Sequence, residues 1–145
     1  MQITQELLDE FTERPLLAIL ATVNPRGEPR AMAVFYDYDG RTFNMTSYAH
    51  LFKVRNIREN PAVSLVIVDT VGYGDMLTVT GTAELFEDGV YEVTQRLNIR
   101  YQGEERGKVS RERYSELQPR IIIRLTPKTM HYRRSSERPS VAQRG

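Results

Sequence analysis

The sequence contains no cysteine among its 145 residues. Disulfide frameworks, thiolate metal sites and thiol nucleophiles are therefore excluded, and the absence fits the reducing environment of the cytoplasm. Long apolar runs are missing as well, since no window approaches the roughly 18–20 apolar residues that a membrane-spanning helix requires. We therefore expect a cytoplasmic protein with no membrane segment.

An excess of charge of one sign is also missing, because 20 basic residues are balanced by 19 acidic ones. Since a dedicated nucleic-acid surface needs a larger basic surplus, any basic patch must be local. Neither His50 nor His131 has a second ligand at metal-binding spacing, so we predict no metal site. Ser47 and Ser64 lack the glycine-flanked setting of a hydrolase nucleophile, so no catalytic nucleophile–base pair is predicted.

Strand-like apolar segments make up most of the chain. We predict strands over residues 16–23, 30–36, 42–46, 62–69, 76–86 and 120–125, the last extending toward Tyr132. Asn24-Pro25-Arg26-Gly27 and Asp39-Gly40 are typical hairpin turns, so the first three strands are expected to form an antiparallel meander. Gly81, in the middle of a strand pattern, indicates a bulge or a close approach of backbone.

Helical spacing of apolar residues interrupts the strands in a few places. The pattern predicts helices over residues 3–11, 49–59, 88–101 and, as a short piece, 110–117, with Thr4, Asp88 and Ser110 as N-caps. Residues 102–109 are charged and contain glycine, which is typical of a loop. Six strands with two or three short helices and no βαβ alternation predict a mainly β fold, an antiparallel barrel or barrel-like sheet.

The composition predicts one domain over residues 1–132 and a flexible arginine-rich tail over residues 133–145. Within the domain, a basic segment carries Lys53 and Asn56 on one helical flank, directly after the hydroxyl pair Thr46-Ser47. Hydroxyls, a helix start and a lysine are the groups that bind a phosphate. The same pattern is also typical of an ordinary helix cap followed by a solvated face, and spacing alone leaves both interpretations open.

Five segments, taken in their order and spacing, resemble the pyridoxamine 5′-phosphate oxidase-like FMN-binding split β-barrel family. These segments are LAILATVNPRGEPRAMAVFYDYDGRTFNMTS, KVRNIRENPAVSLVIVD with its K-x-x-N of Lys53 and Asn56, LTVTGTAELFED, the R-Y-x-G of Arg100 to Gly103, and RIIIRLTPKTM. The chain looks closest to the flavin/deazaflavin-dependent branch. The resemblance implies a six-stranded split β-barrel that forms a homodimer, with FMN or the deazaflavin coenzyme F420 bound between the subunits.

The resemblance also implies which residues contact the cofactor. Residues Ala31, Met32, Ala33 and Val34 would run along the ring system, whereas the phosphate would meet Thr46, Ser47 and Lys53, with His50 and Asn56 nearby. Many family members have a Ser-Arg or Ser-Ala pair before the lysine, where this chain has Leu51-Phe52. Either His50, Arg55 and Arg58 replace the missing partners, or the cofactor is held less tightly.

The function that follows is a flavin nucleotide-binding oxidoreductase, which transfers hydride to or from a small planar organic substrate. Such chemistry needs no protein nucleophile, which agrees with the lack of a catalytic pair. The alternative is a non-catalytic protein that binds or stores a flavin or haem. Pyridoxamine phosphate oxidation itself is disfavoured, because the chain is short and the basic substrate-binding motif expected near the C-terminus is not evident. A nucleic-acid partner is not expected.

Overall fold

Seven strands form one antiparallel sheet in the computed structural model, which describes residues 3–72 and 74–135. The strands are β1 (Ala18–Val23), β2 (Pro29–Val34), β3 (Asp37–Tyr38), β4 (Phe43–Tyr48), β5 (Ala62–Val68), β6 (Met76–Phe86) and β7 (Arg120–Arg133). Their order across the sheet is β2-β1-β5-β6-β7-β4-β3. The sheet curls into a half-barrel, which confirms the split β-barrel, although the structure has seven strands rather than six.

The first three strands do not form the meander that the turns predicted. β1 and β2 do form a hairpin, and Gly27 adopts the positive φ of 80° that its turn requires. The chain then leaves the ladder after Val34, so the predicted strand 30–36 is too long. β4 pairs instead with β3 and the distant β7, because Met45 and Ile123 meet there on the buried face of the sheet.

Within the described residues, five helices flank the sheet, more than the two or three short helices expected. They are α1 (Gln5–Glu13), α2 (Phe52–Glu59), α3 (Val90–Gln102), α4 (Glu104–Gly107) and α5 (Arg111–Ser115). Thr4 and Ser110 are confirmed as N-caps, since their hydroxyls accept the amides of Leu7 and Arg113 at 3.2 and 3.1 Å. The Asp88 cap is wrong, because left-handed Gly89 precedes α3. The loop over residues 102–109 is also wrong, because it contains α4.

The hydrophobic core lies on one face of the sheet, where α1 and α2 cover it. Its fully buried members include Ala18, Leu20, Phe43, Met45, Leu65, Ile67, Leu77, Val79, Ile123 and Leu125. On the opposite face, called here the outer face, α3 packs Val93 and Leu97 against Ile122 of β7. α3 therefore covers the outer side of β7 next to its partner β4, and the hairpin of β1 and β2 leaves large apolar side chains exposed.

Gly81 confirms the predicted irregularity in the sheet. The pairing of β6 with β7 shifts register between Thr80 and Gly81, as a bulge does. A Cβ on Gly81 would lie 2.1 Å from the carbonyl oxygen of Thr126, so the two backbones approach too closely for any side chain.

Two further expectations concern the ends of the chain and the membrane. Most of the proposed tail, residues 136–145, lies outside the described residues, whereas β7 continues to Arg133. Among the described helices, none combines the length and the apolar character needed to cross a bilayer.

Candidate functional site

A cleft of about 350 Å³ lies at the open margin of the half-barrel, where the end of edge strand β2 approaches β4. α2 follows β4 after a short turn, β7 pairs with β4, and α3 packs on the outer face of β7, so these four elements and β2 meet there. The cleft is lined by Leu17, Ala33, Val34, Phe35, Thr46, Ser47, Tyr48, Leu51, Lys53, Leu97, Asn98 and Arg120. It therefore combines apolar walls with two cations.

The two cations are Lys53 of α2 and Arg120 of β7. Lys53 is only 8% exposed, and neither residue forms an ion pair within the described parts of the chain. Burial lowers the pKa of the Lys53 ammonium, and the positive charge of Arg120 lowers it further. A buried ammonium beside a partly buried guanidinium, with no counter-charge among the described residues, is costly, so the arrangement is one that an anion would stabilise.

Arg120 contacts two residues of β4, and one of its N–H donors has no partner among the described residues. Its Nη2 donates to the Thr46 hydroxyl over 3.3 Å, and its guanidinium lies 4.6 Å from the centre of the Tyr48 ring. These contacts follow from the register, which places Arg120 opposite Tyr48 on the outer face. The buried Nε of Arg120 has no hydrogen-bond partner among the described residues. This buried donor is available to an acceptor on a bound group.

The start of α2 supplies further donors beside the cations. Leu51 is the N-cap residue, and its apolar side chain cannot accept the first amides of the helix. The positive end of the helix dipole lies beside Lys53, one residue into the helix. Uncapped amides, an ammonium and a guanidinium with a free Nε are the donor set that fits a phosphate group.

The structure brings some of the predicted site residues together and separates others. Ala33, Val34, Thr46, Ser47 and Lys53 all line the cleft. Within it, the Ser47 hydroxyl donates to the Tyr48 carbonyl at 3.0 Å, whereas Thr46 accepts from Arg120. Contact of these residues with a cofactor stays a prediction.

The other predicted site residues lie outside the lining of the cleft. Ala31 and Met32 are exposed on β2, where Met32 opposes Leu20 on the core side of the sheet. His50 is exposed, with its ring 5.9 Å from that of Tyr48. Asn56 is buried and donates through Nδ2 to the Thr22 hydroxyl at 3.1 Å, so it joins α2 to β1. Its side chain has a structural partner of its own.

Leu51 and Phe52, where the chain departs from the family pattern, have side chains in different surroundings. Leu51 lines the cleft, whereas the half-exposed Phe52 ring carries the guanidinium of Arg30 at 4.1 Å and that of Arg55 at 5.5 Å. None of the proposed substitutes, His50, Arg55 and Arg58, lines the cleft. The second cation is Arg120.

Sequence reasoning missed Arg120 because its place depends on a long-range pairing. The residue opens the final strand directly after Pro119, which is a visible signal for a strand start but not for a site. Only the pairing of β4 with β7, across 74 positions, brings it to Thr46. Asn98 and Leu97 were missed for the same reason, since the helix pattern does not reveal which strands α3 covers.

Metal chemistry has no support in the described part of the chain, where no group of His, Cys, Asp and Glu side chains could hold an ion. The lining of the cleft also contains no carboxylate and no imidazole. The site is thus defined by cations, hydroxyls and apolar walls rather than by acid–base or metal-binding residues.

The fold is thus an antiparallel split barrel, and its cleft carries two cations that form no ion pair within the described residues. Residues 4–134 match the pyridoxamine 5′-phosphate oxidase family, and the chain belongs to that family. No curated protein sequence matches the chain.

Solved structures agree with this assignment. An F420 reductase is 31% identical, covers 85% of this chain and 94% of its own, and superposes with a TM-score of 0.72. A conserved hypothetical protein from Mycobacterium tuberculosis is 22% identical, with 91% and 85% coverage and a TM-score of 0.72. General stress protein 26 from Bacillus anthracis is 16% identical, with 88% and 92% coverage and a TM-score of 0.64. The last two show the fold alone.

Proposed function

We propose that the protein is an oxidoreductase that binds FMN or F420, with the cofactor's phosphate held between Lys53 and Arg120. The observation that carries this proposal is the cation pair itself. Lys53 is buried, Arg120 is partly buried, and within the described residues neither pairs with a carboxylate and the buried Nε of Arg120 has no acceptor. The membership of the pyridoxamine 5′-phosphate oxidase family and the 31% identity to an F420 reductase support the choice of a flavin-type cofactor.

The cleft residues divide the work of binding. Lys53 and Arg120 neutralise the phosphate, and Thr46 fixes the guanidinium. Leu17, Phe35 and Leu97 provide apolar walls that exclude water from a ring system. When bound, the cofactor supplies hydride transfer, which is chemistry that this set of side chains lacks.

F420 and FMN both carry a phosphate but differ in the ring, which is a deazaflavin in F420, and in the oligoglutamate tail that only F420 has. The likeness to an F420 reductase favours F420. Titration of the purified protein with each cofactor, followed by quenching of the ligand's fluorescence, tests the proposal. We expect a dissociation constant in the micromolar range or below for at least one of them. Failure of both to bind would refute the proposal.

Catalysis is tested separately from binding. The protein loaded with the cofactor that binds is mixed with nicotinamide cofactors or with small planar acceptors, and the cofactor's absorbance is followed. Turnover supports an oxidoreductase acting on a small organic substrate. A tightly bound cofactor that never changes its redox state supports the alternative, a protein that stores a flavin or haem.

We further propose that the protein works as a homodimer, through the outer face of β1 and β2. Leu17 and Ile19 are 50% and 40% exposed there, and Ile19 lies between Ala33 and Val66 across the sheet. Large exposed apolar patches of this kind are typical of interfaces. Since Leu17 and Ala33 also line the cleft, a partner on this face would border the cofactor site.

The dimer is tested by the mass in solution. Light scattering coupled to size-exclusion chromatography is expected to give twice the monomer mass for the wild type. The same measurement is expected to give the monomer mass for Ile19→Lys. Val71→Lys is the matched control, because Val71 is an exposed apolar residue outside this face. A monomeric wild-type protein, or equal masses for the three proteins, would refute the proposal.

A further inference from the structure

Tyr101, near the end of α3, connects two strands just beyond the point where they separate. The ladder of β1 and β2 ends at the pair of Ala18 and Val34, and the same register continued would place Leu16 opposite Tyr36. The hydroxyl of Tyr101 occupies that place instead. It donates to the Leu16 carbonyl at 2.7 Å and accepts the Tyr36 amide at 3.1 Å, with the Tyr36 carbonyl 3.2 Å away.

The position between these two pairs, that of Leu17 and Phe35, lies at the cleft. Leu17 and Phe35 would oppose each other in the continued register, and both line the cleft. The Phe35 ring stacks on the Tyr101 ring with 4.1 Å between centroids and 5° between planes. One residue thus contacts both walls, through its hydroxyl on the backbone beside Leu17 and through its ring on Phe35.

The surroundings keep the hydroxyl both fixed and neutral. Arg100, the preceding residue, donates to the Tyr36 carbonyl at 2.9 Å and to the Thr12 carbonyl at 2.7 Å, so this end of α3 is attached to both chain segments. Burial raises the pKa of the Tyr101 hydroxyl, although its hydrogen bond with Tyr36 and the charge of Arg100 oppose this. A protonated hydroxyl can donate and accept at once, as the two backbone partners require.

We propose that Tyr101 is a positioning residue that sets the width of the cleft, by holding the Leu17 and Phe35 walls apart for the planar ring of the cofactor. This inference rests on the proposed function. Without the hydroxyl, the Leu16 carbonyl and the Tyr36 amide lose their shared partner, and the strand ends are free to approach each other. The phosphate end, built from other elements, keeps its geometry.

The variant Tyr101→Phe removes the hydroxyl and keeps the stacked ring. Tyr91→Phe is its matched control, because Tyr91 also lies on α3 and its hydroxyl donates to a backbone carbonyl, that of Val109, at 2.6 Å. Affinity for the cofactor that the wild type binds is measured for each protein, together with the visible circular dichroism of the bound ring. Inorganic phosphate is used as a competitor that reports on the phosphate end alone.

We expect Tyr101→Phe to bind the cofactor about three- to tenfold more weakly and to change the circular dichroism of the bound ring. The inhibition constant of phosphate is expected to stay as in the wild type. Tyr91→Phe is expected to bind as the wild type does. Equal binding by Tyr101→Phe and the wild type would overturn the inference, as would equal weakening in both variants. A wild type that binds neither FMN nor F420 would instead refute the proposed function.

A second variant covers the case in which Tyr101→Phe does not fold. Phe35→Leu leaves the Tyr101 hydroxyl bonds in place but removes the stacked ring from the wall. We expect weaker cofactor binding and unchanged phosphate competition. Wild-type affinity and wild-type circular dichroism in Phe35→Leu would overturn the inference.

Discussion

The guanidinium of Arg120 donates to the hydroxyl of Thr46 over 3.3 Å, which joins residues 74 positions apart in the chain. Thr46 therefore holds in place a cation whose Nε still lacks an acceptor among the described residues. This geometry connects β7, the last strand in the chain, to the cleft, and it places the charge of Arg120 in the lining of the cleft.

Replacement of Arg120 by glutamine is expected to weaken binding of FMN or F420 by about 1.5–3 kcal/mol, the range for a hydrogen bond to a charged group. Arg124→Gln is the control, because Arg124 lies on the same strand and face but contacts Asn44, at 3.0 Å, and the Phe86 ring. Calorimetric titration of both variants checks this. Equal losses for the two would show that general charge, not the cleft, attracts the ligand.

Replacement of Lys53 by methionine is expected to weaken the cofactor and to stabilise the free protein. The side chain is buried, and its lowered pKa shows that the structure disfavours the ammonium. The pKa of Lys53 in the folded protein lies below its value in the unfolded chain, so the charged ammonium destabilises the fold. This destabilisation is complete at low pH, where Lys53 is protonated in both states, and disappears as the pH rises above both pKa values. At a pH below both pKa values, removal of the charge should raise the free energy of unfolding by about 1 kcal/mol.

Thermal melts with and without cofactor measure both effects of Lys53→Met. The control is Lys108→Met, because Lys108 is exposed and pairs with Glu104 at 3.1 Å. Without cofactor, we expect Lys53→Met to melt at a higher temperature than the wild type. When cofactor is added, we expect the melting temperature of Lys53→Met to rise less than that of the wild type. A lower melting temperature without cofactor would contradict the idea that Lys53 is held in readiness for an anion.

The parts of the fold that depend on local chemistry were predictable from sequence. The turn at Gly27, the caps at Thr4 and Ser110, and the irregularity at Gly81 each follow from what one residue type allows the backbone to do. Asp88 shows the limit of this approach. A good capping residue stood next to a glycine, and the left-handed turn of Gly89 determined where α3 begins.

The parts that depend on long-range pairing were not predictable. Nothing local in the sequence tells whether β4 pairs with β2 or with β7, because each alternative buries apolar side chains on one face. The site inherits that uncertainty. Lys53 and Thr46 are close in sequence and were found, whereas Arg120 reaches the cleft only through the pairing of β7.

An ion pair at the end of β5, in which the Asp69 carboxylate is buried and the Arg14 side chain is partly exposed, predicts how the protein responds to acid. Asp69 receives two hydrogen bonds from the Arg14 guanidinium, at 2.8 and 2.9 Å. This contact, helped by the Gly72 and Val71 amides, lowers the pKa of Asp69 to about 2 from its usual 3.8. Because the folded-state pKa is depressed, the stabilisation is present above the unfolded value and is lost as the pH falls toward about 2.

Urea unfolding of wild type and Asp69→Asn at several pH values tests this response. The variant is expected to be less stable near neutral pH, and the difference should shrink between about pH 4 and about pH 2. Asp88→Asn serves as the control, since Asp88 is exposed in the turn before α3. A difference between wild type and Asp69→Asn that does not change with pH would assign the effect to packing rather than to the charge.

The two residues of the K-x-x-N pattern have different surroundings, since Lys53 lines the cleft and Asn56 bonds to Thr22 of β1. Its Nδ2 donates to the buried Thr22 hydroxyl at 3.1 Å, so Asn56→Ala is expected to destabilise the protein by about 1–3 kcal/mol. Cofactor affinity should change far less than in Lys53→Met. The double variant Asn56→Leu with Thr22→Val, which removes both polar partners, should recover part of the stability. Urea unfolding and cofactor titration of each variant decide the matter, because a loss of affinity in Asn56→Ala as large as in Lys53→Met would place Asn56 at the phosphate after all.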